Sequence, residues 1–150
     1  MRIEGVIAIA APRSAVFSRL SDAHFFVSCI DGVQDLTEID ASHYDAVFAT
    51  KIAYLRFTFK VKVAMTKLSP PNEIAATVEG TPLGVVGRLT ATAATQLSER
   101  EGQTDIHYVI DATLTGKLGS IGQPVLKAKA KDMEKQFAAR LKAAFAEVTR

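Results

Sequence analysis

The chain has 150 residues, 48% hydrophobic and 23% charged, with a net charge of +2, which suits one globular domain with a sizeable core and excludes a disordered chain. One cysteine, Cys29, excludes an intramolecular disulfide and a cysteine-based zinc site. No run approaches the ~20 apolar residues that span a bilayer, and the start, Met1-Arg-Ile-Glu-Gly5, lacks a signal-peptide pattern, so a cytoplasmic protein is expected.

The first strand is expected over residues 2–10, with Ile3, Val6 and Ile7 as its apolar content. Pro12 suits the first turn of a helix, where its missing N–H would be unpaired anyway. Val16, Phe17 and Leu20 then recur at helical spacing within residues 14–20. Ser21-Asp22 is suited to cap a second short helix that includes Phe25, Phe26 and Cys29.

Strands follow almost without interruption. Residues 33–39 and 44–54 are separated by the turn-rich Asp40-Ala-Ser-His43. Residues 56–67 alternate cleanly, with Phe57, Phe59, Val61, Val63 and Met65 on one face and Thr58, Lys60, Lys62 and Thr66 on the other. Such period-two alternation marks a strand with one buried and one wet face. Ser69-Pro70-Pro71-Asn72 breaks the chain, and residues 74–79, 86–97 and 104–114 continue the meander. No helical pattern intervenes, so the sheet is expected to be antiparallel.

One long helix ends the chain. It starts either at a capping box of Ser120 with Gln123 or with Pro124 at its first position. At about 100° per residue, Leu126, Ala130, Met133, Phe137, Leu141, Ala144 and Val148 fall within roughly an 80° stripe. Lys127, Lys131, Lys135 and Lys142 form a second stripe about 120° away. Residues 117–150 hold eight Lys or Arg against three acids, a net +5 that leaves −3 elsewhere. A twisted sheet with one apolar face needs a cover, and this helix is the only long amphipathic element available. The expected fold is α+β. It is a helix-grip arrangement in one domain over residues 1–150, with about seven antiparallel strands curved around the last helix and two short helices after the first strand.

The stretch Asp111-Ala112-Thr-Leu114-Thr-Gly116-Lys117-Leu118-Gly119-Ser-Ile121-Gly122, followed by Lys135-Gln136-Phe137, resembles the carbon-monoxide dehydrogenase G-subunit family of the START-like, Bet v 1-like superfamily. Further matches are Ala11-Pro12-Arg13 before Val16-Phe17, Cys29-Ile30-Asp31-Gly32, and Leu68-Ser69-Pro70-Pro71, so the likeness covers essentially the whole chain. The resemblance implies an accessory protein of molybdenum hydroxylases that recruits the enzyme to the membrane or carries a quinone acceptor in a cavity. Two departures stand out. Members often have glycines where this chain has Lys51-Ile-Ala-Tyr-Leu-Arg-Phe-Thr-Phe-Lys-Val61, and bulk there is expected either to narrow the cavity or to change its ligand. Some members also carry a C-terminal linker and an apolar tail; this chain stops at Arg150, so stable anchoring is not expected.

Few residues suggest any other chemistry. His24, His43 and His107 have no metal-ligand spacing, and no cofactor is expected beyond a bound quinone or lipid. Cys29 reads as a small core residue, and no serine lies in a nucleophile elbow. Gly80-Thr-Pro-Leu-Gly84-Val-Val-Gly87 lacks the Gly-Lys-Ser/Thr ending of a phosphate loop and reads as a hairpin loop, with gating of a cavity mouth as its second reading. A cyclase-like enzyme, as in relatives of this fold, would need an acid or base inside the cavity. Asp111 and His107 alternate with Ile106, Tyr108, Ile110 and Ala112 and are expected to point outward.

The expected lining of a hydrophobic-ligand cavity is Phe17, Tyr54, Phe57, Phe59, Val61, Met65, Val78, Leu89, Tyr108, Ile110, Met133 and Phe137. Tyr54 and Tyr108 are the hydroxyls suited to orient a quinone carbonyl. The lysine stripe reads either as a solvated face or as a surface for an anionic membrane or an acidic partner. Nucleic acid is not an expected partner, because no aromatic interleaving or recognition motif accompanies the lysines.

Overall fold

The computed structural model describes residues 1–148, with the side chains of residues 147 and 148 outside that description. In chain order the elements are β1 (Arg2–Ile9), α1 (Arg13–Leu20), α2 (Ala23–Ser28), β2 (Val33–Asp40), β3 (His43–Ile52), β4 (Leu55–Ser69), β5 (Glu73–Pro82), β6 (Gly87–Arg100), β7 (Gln103–Gly116), a 3-10 turn (Gly119–Ile121) and α3 (Gln123–Val148). The strands form one antiparallel sheet in the order β1-β7-β6-β5-β4-β3-β2. The long helix, the two short helices after β1 and the seven strands are the helix-grip arrangement expected from the sequence.

Several local details differ from expectation. Asp22 alone caps α2, its carboxylate accepting from the His24 and Phe25 amides, and Cys29 sits just past the helix end. Ser120 makes no capping box; its hydroxyl donates to the Lys117 carbonyl inside the 3-10 turn, and α3 starts at Gln123. The β3–β4 hairpin turns at Ala53-Tyr54, two residues before the expected strand end.

The core lies in two separate clusters. At one end Val16, Phe17 and Leu20 of α1 meet Ile7 and Ile9 of β1, Leu97 and Ile106 of the sheet, and Leu141 and Phe145 of α3. Thr104 is fully buried there, and its hydroxyl donates to the Ala11 carbonyl at 2.7 Å, so its burial strands no donor. At the other end Ile52, Phe57 and Phe59 pack with Leu118 and Leu126, which brings the start of α3 onto the β3–β4 hairpin. Each such burial is worth roughly 1.5–3 kcal/mol, so the two clusters hold α3 by its ends. Its close backbone neighbours are the edge strand β1 and, toward the other edge, β3, the strand next to β2, so it bridges the open side of the curved sheet.

The faces of α3 follow the sequence periodicity. Leu126 and Leu141 are buried and Ala130, Met133, Phe137 and Ala144 half-buried, whereas Lys127, Lys131, Lys135 and Lys142 are exposed. The inward placement expected of Val148 lies outside the described residues.

Candidate functional site: a groove between sheet and helix

Residues directly opposite in an antiparallel pair share a face, so the register defines the inner surface. Val63 pairs with Val78, Val78 with Ala91, and Ala91 with Ala112. One layer along, Met65 pairs with Ala76, Ala76 with Ala93, and Ala93 with Ile110. This middle band is built largely of alanines, and Gly80 extends it toward the hairpin end. Its residues face α3, yet Val63, Met65, Ala76, Val78, Ala91, Ala93 and Ile110 are all only half-buried. A packed interior would bury them fully. The bulky residues that could close the band sit instead in the two end clusters, which leaves an apolar groove beneath the helix.

Alongside the groove, α3 and β3 frame a cleft of about 280 Å³. Phe48, Ala49, Thr50 and Lys51 line it from β3, Lys129, Asp132, Met133 and Gln136 from α3, and Ile30, Asp31 and Gly32 from the α2–β2 loop. Met133 belongs both to the cleft and to the inward stripe of the helix.

A polar latch closes one side of the cleft. The Asp31 carboxylate accepts from Arg140 at 2.7 Å and from the Gln136 side-chain amide at 2.6 Å, and the Asp31 N–H donates to the Gln136 side-chain Oε1 at 3.4 Å. The Ala49 N–H donates to the Gly32 carbonyl at 2.9 Å, fixing the loop to β3 as well. Gly32 has φ +90°, and a Cβ there would collide with the Ala49 carbonyl, so only glycine fits. Phe26 packs on Phe137 with ring centroids 5.0 Å apart, which seats α2 on the helix beside the latch. The hydrogen bonds from Arg140 and Gln136 hold the Asp31 carboxyl below the usual aspartate value of 3.8. A depressed folded-state pKa stabilises the latch above that value and releases it as pH falls through the folded pKa. Amide exchange at Asp31 and Ala49 is therefore expected to be slow at neutral pH and to accelerate, after correction for intrinsic chemistry, only below about pH 4. Asp31→Asn should remove that acid step; an unchanged profile would assign it to another group.

Tyr108 brings a hydroxyl into the interior beside β1. Its ring lies over Gly5, where an added Cβ would come within 2.6 Å of the hydroxyl oxygen. That hydroxyl is buried and makes no hydrogen bond of normal geometry. Burial, and then the facing Glu134 carboxylate, push its pKa well above the ordinary tyrosine value.

The expected lining residues divide into three groups. Met65, Val78, Ile110 and Met133 border the groove. Phe17 is buried in the α1 cluster, with Tyr108 and Phe137 packed against that cluster. Phe57 and Phe59 fill the opposite cluster, and Val61 and Leu89 pack on it. Tyr54 is corrected: it sits on the hairpin turn at 83% exposure, facing solvent rather than the groove. His107 and Asp111 are exposed on the outer face, as alternation predicts. His43 bonds Asp40 at 2.8 Å in a surface turn. Cys29 is buried, and burial raises its thiol pKa. Among the described residues no group of three or more His, Cys, Asp or Glu is placed to hold a metal ion. Sequence patterns do not mark the latch residues Asp31, Gln136 and Arg140 or the small floor residues as a site, although Asp31 and Gln136 fall in two of the segments that carry the family resemblance.

Residues 5–146 match the model of the carbon monoxide dehydrogenase G-subunit (CoxG) family. No curated protein matches the sequence. Among solved structures, a conserved protein from Geobacillus kaustophilus superposes with a TM-score of 0.89 at 24% identity, over 98% of this chain and 96% of that one. A START superfamily protein from Mycobacterium smegmatis gives 0.73 at 11% identity, over 98% of each chain. The ZhuI aromatase/cyclase from Streptomyces sp. R1128 gives 0.73 at 13% identity, over 100% of this chain and 96% of that one. At these identities the likeness establishes a common fold.

Proposed function

The chain belongs to the carbon monoxide dehydrogenase G-subunit (CoxG) family, and from that premise we propose that it is a non-enzymatic accessory protein carrying a hydrophobic, quinone- or lipid-like molecule in the groove beneath α3. The observation that carries the reading is the half-buried apolar band of Val63, Met65, Ala76, Val78, Ala91, Ala93 and Ile110. Apolar surface left open under a helix is costly in water and is relieved when an apolar molecule covers it. The interior Tyr108 hydroxyl, which faces the Glu134 carboxylate, is the donor for which a cargo carbonyl would compete. Tyr54, exposed on its turn, has no part in binding.

The client in this reading is a molybdenum hydroxylase of the carbon-monoxide dehydrogenase type, and its support is family membership. The protein is then cytoplasmic and meets the inner membrane face peripherally. Titration with a menaquinone analogue, followed by native mass spectrometry, is expected to give one molecule bound per chain. Absence of uptake of any quinone or lipid, with the interior protected throughout in exchange measurements, would overturn the proposal.

A further inference from the structure

Nine large apolar side chains are prominently exposed among the described residues, and five of them come from one end of the molecule. Tyr54 (83% exposed) and Leu55 form the tip of the β3–β4 hairpin, Leu83 and Val86 (85%) lie on the β5–β6 loop, and Val125 is in the first turn of α3. Backbone hydrogen bonds join these segments. The Leu83 N–H donates to the Thr58 carbonyl at 2.8 Å, and the Lys117 N–H to the Val86 carbonyl at 2.9 Å. The buried cluster of Ile52, Phe57, Phe59, Leu118 and Leu126, with Val85 packed on it, gives the tips a rigid base.

The segments that form this end carry charge of one sign, and the acids next to them, Glu79, Asp111 and Asp132, lie just inward. Residues 50–58, 80–90 and 112–131 contain no Asp or Glu, and they carry the exposed cations Lys51, Arg56, Arg88, Lys117, Lys127 and Lys131. The turns at the opposite end, by contrast, hold Asp40, Glu73, Glu99 and Glu101. Apolar tips projecting from separate loops inside a cationic rim match an anionic lipid surface: the tips enter the acyl boundary while the cations meet the headgroups.

We infer that this end docks the protein end-on to an anionic bilayer, through Tyr54, Leu55, Leu83 and Val86 ringed by Arg56, Arg88 and Lys117. Of the lysine stripe of α3 only Lys127 and Lys131 then lie at the contact, and the stripe as a whole is not the contact face. Lys142 lies about 22 Å along the helix axis from Lys127, and between them α3 exposes no large apolar side chain. Lys51 belongs both to the docking end and to the cleft between α3 and β3, so the cleft reaches the docking end. The docking surface itself does not depend on any cargo.

The chain has no tryptophan, so a single substitution supplies a clean reporter. With vesicles of phosphatidylcholine containing phosphatidylglycerol, Val86→Trp is expected to shift to the blue and to be quenched by brominated lipid, whereas Ala139→Trp on the outer face of α3 should do neither. Co-sedimentation of the full chain should weaken about tenfold with Arg56→Glu and Arg88→Glu together, and less than twofold with Lys135→Glu and Lys142→Glu together. Added salt should release the protein, and pure phosphatidylcholine should not retain it. Equal quenching of both reporters, or a larger loss from the Lys135 and Lys142 pair, would overturn end-on docking in favour of the helix face. Absence of vesicle binding at low salt, with self-association that Val86→Asp abolishes, would overturn it in favour of a second copy of the chain.

Discussion

Leu141→Ala is expected to cost about 3 kcal/mol of unfolding free energy, whereas Met133→Ala, on the same apolar stripe of α3, should cost less than about 1 kcal/mol. Leu141 is fully buried among Val16, Phe17 and Phe145 and their neighbours, so truncation removes well-made contacts and leaves a void that the rigid end cluster cannot close. Met133 is half-buried and borders the cleft, so its truncation widens a space that already exists. Urea unfolding of ligand-free protein measures the difference, and the larger loss corresponds to a fall in Tm of about 6–12 °C. Equal costs at the two positions would mean that the centre of the helix is packed as tightly as its end.

The contrast also indicates what periodicity can reveal. The 3.6-residue period identifies the buried stripe of α3, because every residue on that stripe reports on the same question: which side faces the sheet. It does not distinguish Met133 from Leu141, because tightness depends on what the sheet presents opposite each. That is set by register across β4, β5, β6 and β7, where Ala76, Ala91, Ala93 and Ala112 fall together only once the strands are paired. A signal is present in the sequence, in the alanine-rich strands β5 and β6, but no single strand contains it.

Tyr54 departs from expectation for a more local reason. The hairpin turns at Ala53-Tyr54, with Ala53 at φ +56°, a conformation usually announced by glycine or asparagine. Here the turn lies inside Ile52-Ala53-Tyr54-Leu55, an unbroken apolar run that reads as a continuing strand. The turn therefore carries the tyrosine away from the groove and out to the tip of a loop. The latch is a third kind of case. Asp31 and Gln136 are 105 residues apart, and each sits in a segment resembling the family, yet only the fold shows that the two segments meet.

Filling the groove is expected to have the largest effect on binding. Ala91 and Ala93 lie two residues apart on the inner face of β6, opposite Val78 and Ala76. With leucine at both positions, affinity for a menaquinone analogue should fall on the order of 100-fold, because the added methylenes occupy the volume the cargo needs. Stability should hold or rise, since those methylenes bury apolar surface in open space. A packed interior would respond in the opposite way, with overpacking that costs about 1–3 kcal/mol and lowers Tm. Thermal unfolding and ligand titration on one protein sample therefore test the groove independently of each other. Vesicle binding supplies the third readout: the double variant leaves Tyr54, Val86 and the cationic rim untouched and should partition like the parent. Loss of ligand with docking retained would separate the groove that carries from the end that docks, whereas joint loss would mean that the cargo is needed to hold the docking end in shape.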